Sequence, residues 1–435
     1  MLFLLLESFF IFVLILLVLL SGLPISFGFA LITLLLMFIY FPETISFIGT
    51  YLLSNSSEYA LLAVPCFILL GAVISNTKIG SDLFEAANRW LYRLPGGLAT
   101  TTTVTSAVIG ALCGASTAGL AAIGRTAIRE MKLRGYPDTI ASGCVAISGT
   151  LSILIPPSIP MIIYGIATQV SIGKLFMAGV IPGIILTCLF SLYNVFYFKI
   201  IKRDKDTLID KKYTMKEGIV ILPKVVPFLL IVVFIIYSLY FGIATATEVG
   251  AIGAIASIIL SFIIYKTGIR EYTNAIREAT GDTVMIMFMV IMASVFGQVI
   301  TKTYVVQQFI STIIALNLSP FIIFIILNTI VLLLGFFLPP IAIILIVMPL
   351  FMPIIKIANF DLIWFGVIMI LNLEIGLITP PVGLNLYVIN RLYPEIPTSV
   401  IIRGAIPYLL LILMEIVLLY FFPELVLWLP NKVIG

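Results

Sequence analysis

The chain has 435 residues, 62% of them hydrophobic and only 10% charged, with 24 Lys and Arg against 20 Asp and Glu, a net charge of +4 and no histidine; its mean hydropathy is +1.24. This composition excludes a soluble globular domain, a disordered chain and a secreted disulfide scaffold, and it removes histidine-based metal sites and histidine general-base chemistry. A polytopic α-helical membrane protein remains, because a transmembrane barrel alternates apolar and polar residues whereas these apolar runs are unbroken and of spanning length.

The first run, 2–21, has Glu7 but no Lys or Arg ahead of its core and no A-x-A pattern after it, so it reads as a retained span and not a cleaved signal. Further spans follow at 23–41, 59–77, 139–165, 175–200, 218–241, 247–265, 283–301, 362–388 and 401–422. Two apolar stretches differ. Residues 97–131 and 320–357 are each interrupted midway, by Gly114-Ala115-Ser116-Thr117 and by Leu338-Pro339-Pro340, and read as re-entrant hairpins that enter and leave by one face. Residues 78–95 and 302–318 mix polar and apolar residues at equivalent places and read as interfacial arm helices. Cys66, Cys113, Cys144 and Cys188 lie among apolar or small residues without C-x-x-C spacing and read as small core residues.

Loop charge orients the spans. The basic cluster Lys199, Lys202, Arg203, Lys205, Lys211, Lys212 and Lys216 is placed in the cytoplasm, together with loops 78–95, 125–138, 266–281 and 389–403. Loop 42–58, with Glu43 and Glu58 and no Lys or Arg, then faces outward, as do both termini. The excess positive charge thus speaks to topology and not to nucleic acid. The assignment is self-consistent only if both hairpins are re-entrant.

An internal repeat carries most of the information. Gly71–Thr77 recurs as Gly297–Thr303 at an offset of 226, and Ile155-Pro156-Pro157 recurs as Thr379-Pro380-Pro381 at 224. The offset of 224 also carries tip 114–117 onto 338–341. An odd number of crossings separates the copies, so they are inverted, as in secondary transporters. Irregular backbone within a membrane is tolerated only around a cavity. Each proline pair breaks a span, freeing carbonyls that can coordinate a cation, while half-helix N-termini favour anions. Ser148, Gly149, Thr150, Ser152 and Ser158 flank the first break; Gly376, Thr379, Gly383 and Asn385 flank the second. Two such clusters suit two sodium ions with an anionic substrate between them, although each of these residues alone is also ordinary packing material of membrane helices. Glu374 is either a coupling-ion or proton site or a partner for nearby backbone. Glu248 reads as a cap at the outer interface. Arg125 either reaches substrate or, as is commoner, snorkels to the cytoplasmic face.

Several stretches resemble the large membrane subunit of tripartite ATP-independent periplasmic transporters. They are Gly114-Ala115-Ser116-Thr117-Ala118-Gly119-Leu120-Ala121-Ala122-Ile123-Gly124, Ile155-Pro156-Pro157-Ser158-Ile159-Pro160, Lys174-Leu175-Phe176-Met177-Ala178-Gly179, Thr247-Glu248 with Gly250-Ala251, and Asn372-Leu373-Glu374-Ile375-Gly376-Leu377-Ile378-Thr379-Pro380-Pro381-Val382-Gly383. The resemblance runs almost end to end. It implies a bacterial or archaeal inner-membrane importer that moves an organic anion bearing a carboxylate (a dicarboxylate, sialic acid, or a sugar or keto acid) by an elevator motion driven by sodium. It implies as partners a small four-helix membrane subunit and a periplasmic binding protein, with sodium as coupling ion and no other cofactor. It places one sodium with Gly114, Ser116, Thr117, Gly149 and Thr150, and another with Gly335, Pro339, Gly376, Thr379 and Gly383. Substrate is expected near Ser116, Thr117 and Ser158, with Asn385 and Arg125 as further candidates. Pro339 departs from the Asp or Glu that many members carry at the second tip, and Arg125 from a small residue.

The expected fold is therefore an all-α polytopic inverted-repeat elevator with two re-entrant hairpins and two broken helices. It divides into scaffold spans 1–58, a first repeat 59–200, a cytoplasmic loop and scaffold spans 201–282, a second repeat 283–422 and a tail 423–435. Hairpins and broken spans would form the moving unit; the first two spans, those at 175–265 and the arms would form the frame. A stand-alone sodium–dicarboxylate or antiporter-type carrier is the nearest alternative. An intramembrane enzyme lacks its nucleophile–base pair, and a passive channel fits poorly with two sealed hairpins.

Overall fold

A computed structural model describes residues 22–201, 213–302, 307, 311 and 315–432. The span expected at 2–21 and most of the stretches 199–216 and 302–318 lie outside the described residues. Among the described residues all regular structure is helical. In chain order the helices are α1 (Ile25–Tyr40), α2 (Ile48–Ser56), α3 (Ala63–Ser75), α4 (Ile79–Leu91), α5 (Gly97–Cys113), α6 (Ser116–Leu133), α7 (Asp138–Ser148), α8 (Leu151–Leu154), α9 (Ile159–Thr168) and α10 (Ile172–Phe196). After them come α11 (Met215–Val220), α12 (Leu222–Tyr240), α13 (Ala246–Tyr265), α14 (Ile269–Lys302), α15 (Pro320–Gly335), α16 (Pro340–Ile357), α17 (Leu362–Leu377), α18 (Leu384–Leu392), α19 (Thr398–Phe421) and α20 (Glu424–Leu427).

The expected punctuation is observed. Both interrupted stretches are helical hairpins, α5–α6 and α15–α16, whose limbs pack on each other. The broken spans divide into α7, α8 and α9, and into α17 and α18, with Pro156-Pro157 and Pro380-Pro381 both cis at the breaks. Seven helices, or eight if a bent pair counts as one span, are long and apolar enough to cross a membrane among the described residues.

Two expectations of irregular loop are corrected. Residues 42–58, expected as a connecting loop, are largely helical: α2 occupies about half of this stretch, and the helical segment Ile45–Ser56 meets Tyr59–Ser75 at 60°. Residues 269–281 are not a loop either; they are the first turns of the 34-residue α14. Ala275 and Ala279, four apart, are buried there at 1% and 5% exposure, so one face packs while Arg270 and Arg277 stay in solvent.

Two packing groups follow. α3 packs on both α13 and α14, with α1 on α14 and α12 on α13. The hairpins and broken spans form the second group, and the two repeats cross within it. α9, the far half of the first broken span, packs on α16 of the second hairpin; α18, the far half of the second, packs on α6 of the first. α10, expected in the frame, packs on α5, α17 and α19 as well as on α12. Small residues permit this approach. A Cβ on Gly179 would lie 2.5 Å from the Leu154 carbonyl oxygen, and one on Gly183 2.6 Å from the Ile155 side chain. The stretch ending in Ala178-Gly179 is thus shaped to receive the first break.

Candidate functional site: the hairpin tips and helix breaks

The first tip is held by backbone geometry. α5 ends at Gly114, which has φ 65° and closes the helix by donating to Gly110. A side chain there would meet the Pro157 carbonyl at 2.9 Å. The Gly114 carbonyl accepts from the Ile159 amide at 3.0 Å, which ties the tip to the break of its own repeat. Ser158 is buried and caps α9: its hydroxyl donates to the Ile153 carbonyl and accepts from the Met161 amide at 3.4 Å. Gly149 packs on Leu120, and the Thr150 hydroxyl donates to the Ile147 carbonyl at 2.6 Å.

The second repeat reproduces this tie. The Val382 amide donates to the Phe336 carbonyl at 3.1 Å, again joining break to tip. Gly335 and Gly376 bring α15 and α17 into backbone contact, since a Cβ on Gly376 would lie 2.7 Å from the Gly335 carbonyl oxygen. Thr379 bonds to the Ile375 carbonyl at 2.6 Å, and Gly383 has φ 53° at the start of α18. Pro339 is the N-cap residue of α16 and is half-buried.

Two of the contacts that join the repeats involve expected site residues, although no direct bond between them was expected. Asn385, fully buried, donates to the Ser116 hydroxyl at 2.9 Å and to the Ala146 carbonyl at 3.1 Å. Glu374, fully buried, lies 3.4 Å from the Thr150 hydroxyl. Positions 150 and 374 differ by 224, the repeat offset, so the two meet at the pseudo-two-fold axis. A repeat offset shared by two polar residues is the signal that could have paired them. Asn372 bonds to Asn328 of the second hairpin. Glu248 is the capping-box partner of Thr245, as expected.

A cavity of about 210 Å³ opens between the tips. Its walls include Ser116 and Thr117 from the first tip, Pro339 and Pro340 from the second, Gly71 from α3, and Glu278 and Asp282 from α14. Gly71 lets α3 touch the first tip, because a Cβ there would lie 2.6 Å from the Cys113 carbonyl oxygen. Thr117 is exposed to this space. The two acids were missed because their stretch read as loop; Asn76 fixes Glu278 with a 2.7 Å hydrogen bond. Ser158 and Asn385 lie behind the tip and do not line the cavity. Arg125 joins neither group. It is exposed and outside the cavity, and its carbonyl accepts from the Tyr393 hydroxyl at 2.7 Å.

Residues 12–425 match the family described as the tripartite ATP-independent periplasmic transporter, DctM component. A C4-dicarboxylate TRAP transporter large permease protein of Pseudomonas aeruginosa is 36% identical over 394 residues, covering 90% of this chain and 91% of that one. A sialic acid TRAP transporter large permease protein of Vibrio cholerae is 30% identical over 416 residues, 95% of this chain and 96% of that one. The crystal structure of the Alcanivorax borkumensis YdaH transporter superposes with a TM-score of 0.61 over 90% of each chain at 14% identity, a likeness of fold. A family match over nearly the whole length, two full-length permease relatives and two hairpins tied to two breaks all agree: the chain is a large permease subunit of the DctM family of tripartite ATP-independent periplasmic (TRAP) transporters.

Proposed function

We propose that this subunit imports an organic anion bearing a carboxylate, driven by sodium, by an elevator movement of the hairpin-and-break body against the frame formed by α1, α3, α12, α13 and α14. The observation that carries the reading is the repeated tie of tip carbonyl to break amide, Gly114 with Ile159 and Phe336 with Val382. It gives each half a fixed cluster of carbonyls and hydroxyls beside a helix break, and such clusters suit a cation at helix C-termini and an anion at helix N-termini. Ser116 and Thr117 open α6 and offer free amides, with the Thr117 hydroxyl, to a carboxylate in the cavity, while Asn385 holds the Ser116 hydroxyl. Glu278 and Asp282 face the same cavity from the frame and disfavour an anion that lingers there, which suits release into the cytoplasm. The dicarboxylate and sialic acid named for the two relatives support an anion bearing a carboxylate. The family assignment supports a small membrane subunit and a periplasmic binding protein as partners, an inner-membrane location, and transport without catalysis. Basic loops in the cytoplasm leave both termini outside.

The test is thermal unfolding of the purified protein in sodium against choline at equal ionic strength. A ligand bound only by the folded state raises the transition with RT ln(1 + [L]/Kd). A saturable shift specific to sodium and weakened by Ser116→Ala or Thr379→Ala is expected. Equal curves in the two salts would remove sodium from the account and leave the fold standing.

A further inference from the structure

A second cavity, of about 100 Å³, lies away from the tips, where the end of α4 meets α11. It has room for about three waters at about 30 Å³ each, or for one phosphoryl group with little else. Its walls include Arg89, Trp90, Tyr92, Arg93, Tyr213 and Gly218.

The pocket is built and not incidental. A capping box between Thr214 and Glu217 starts α11 and sets Gly218 against the Trp90 indole, with an added Cβ only 3.5 Å from the ring. Arg89 donates to the Glu85 carboxylate and to the Glu217 carbonyl, and its guanidinium lies 5.9 Å from the Tyr213 ring centroid. Its charge is therefore neutralised and its role is to hold the wall. Tyr92 donates to the Tyr213 carbonyl at 2.9 Å. Arg93 stands apart. Its Nε donates to the Tyr92 hydroxyl at 3.1 Å, its guanidinium sits over that ring at 5.6 Å, and it has no carboxylate partner among the described residues. The pocket thus carries one guanidinium without a paired carboxylate on an aromatic floor, while the Glu217 carboxylate beside it is turned onto the Thr214 amide and hydroxyl.

Its level relative to the bilayer follows from its neighbours. The spanning helix α12 begins at Leu222, four positions after Gly218. Ile219 and Val220, between them, are 56% and 74% exposed, and Trp90 is 48% exposed. Exposed apolar residues beside an indole and a guanidinium, one turn from the start of a span, mark the headgroup layer.

We propose that this pocket binds the phosphate of an anionic phospholipid of the cytoplasmic leaflet, with Arg93 supplying the charge and Trp90 resting against the glycerol and upper acyl chain. The bound lipid bridges α4 to α11, the short helix that leads into α12. The inference rests on membrane embedding and on the cytoplasmic placement of the basic loops, and it is independent of sodium coupling.

The experiment is thermal unfolding of the full-length protein in mixed micelles of phosphatidylglycerol or of phosphatidylcholine, at equal lipid and ionic strength, with inorganic phosphate as a third arm. Phosphatidylglycerol raises the midpoint saturably and phosphatidylcholine does not. Arg93→Gln weakens the half-saturating lipid concentration about fivefold, the effect of one basic residue at an anionic surface. Arg403→Gln, an exposed cation elsewhere, leaves it unchanged. Native mass spectrometry of the unsubstituted protein counts retained phosphatidylglycerol without reliance on a variant. Equal shifts from the two lipids, no retained phosphatidylglycerol, or an Arg93→Gln protein that responds as the parent would overturn the proposal. A full shift from inorganic phosphate would overturn the assignment to lipid.

Discussion

At the first hairpin tip a side-chain hydrogen bond reaches the opposite repeat; at the second the close contacts stay within its own repeat and run through backbone. Ser116 meets Asn385 from the other half. The position equivalent to Asn385 in the first half, 385 minus 224, is Met161, and the position equivalent to Ser116 is Pro340. Neither can form the mirror-image hydrogen bond. The breaks differ as well. Pro156, Pro157 and Ser158 are buried, whereas Pro380 and Pro381 are exposed. Two copies of one architecture have therefore diverged: both tips are tied by backbone to their own break, but only the first is also joined to the other repeat by the Ser116–Asn385 side-chain pair. The lesson is that internal symmetry fixes where irregular backbone lies, while the side chains at each copy decide how tightly it is held.

Substitutions can break or sharpen this contrast. The largest effect is expected for Gly376→Ala, because the new methyl would sit 2.7 Å from the Gly335 carbonyl oxygen and two helix backbones would have to part. A loss of about 2–3 kcal/mol is expected, read as a lowered thermal midpoint and loss of any sodium-dependent shift. Next comes Asn385→Ala, which leaves the buried Ser116 hydroxyl without its partner and costs about 1–2 kcal/mol. Uptake into proteoliposomes should fall while the second break stays intact; unchanged stability and uptake would show that the network is dispensable. Pro339→Asp should work in the opposite direction. Position 339 has the extended conformation of an N-cap, φ −70° and ψ 154°, so an aspartate both caps α16 and adds an anionic ligand. It should stabilise by about 1 kcal/mol and lower the half-saturating sodium concentration about tenfold, and a sodium titration unchanged from the parent would detach this tip from ion binding. Arg125→Ala should be nearly silent, within about 0.5 kcal/mol and with unchanged substrate affinity in a binding titration, because the side chain is exposed and outside the cavity.

Much of the fold was legible because proline and glycine act locally. Pro156-Pro157 and Pro380-Pro381 broke their spans where the missing amide requires it, and Gly114 ended its helix where φ is positive. What escaped was non-local. The Ser116–Asn385 bond joins residues 269 apart, and no periodicity announces it. The early turns of α14 escaped because Arg270 and Arg277 read as a loop, although they mark only the solvated face of a helix whose other face carries Ala275 and Ala279. Arg125 attracted notice through its charge, which suits an anion, but charge gives no direction; the helix turns that side chain outward. Glu278 and Asp282 reach the cavity only because α14 extends past the membrane span that hydropathy delimits.

The exchange of far half-helices between repeats, α9 onto α16 and α18 onto α6, has a consequence for how such a chain can be cut. Each half behaves as one partner of an obligate heterodimer that happens to be covalently joined. A fragment ending near residue 201 would present a bare flank on α6 where α18 belongs, and a fragment beginning near residue 213 would lack α9 against α16. Neither fragment should persist alone in a membrane, whereas the two produced together should find each other and reassemble.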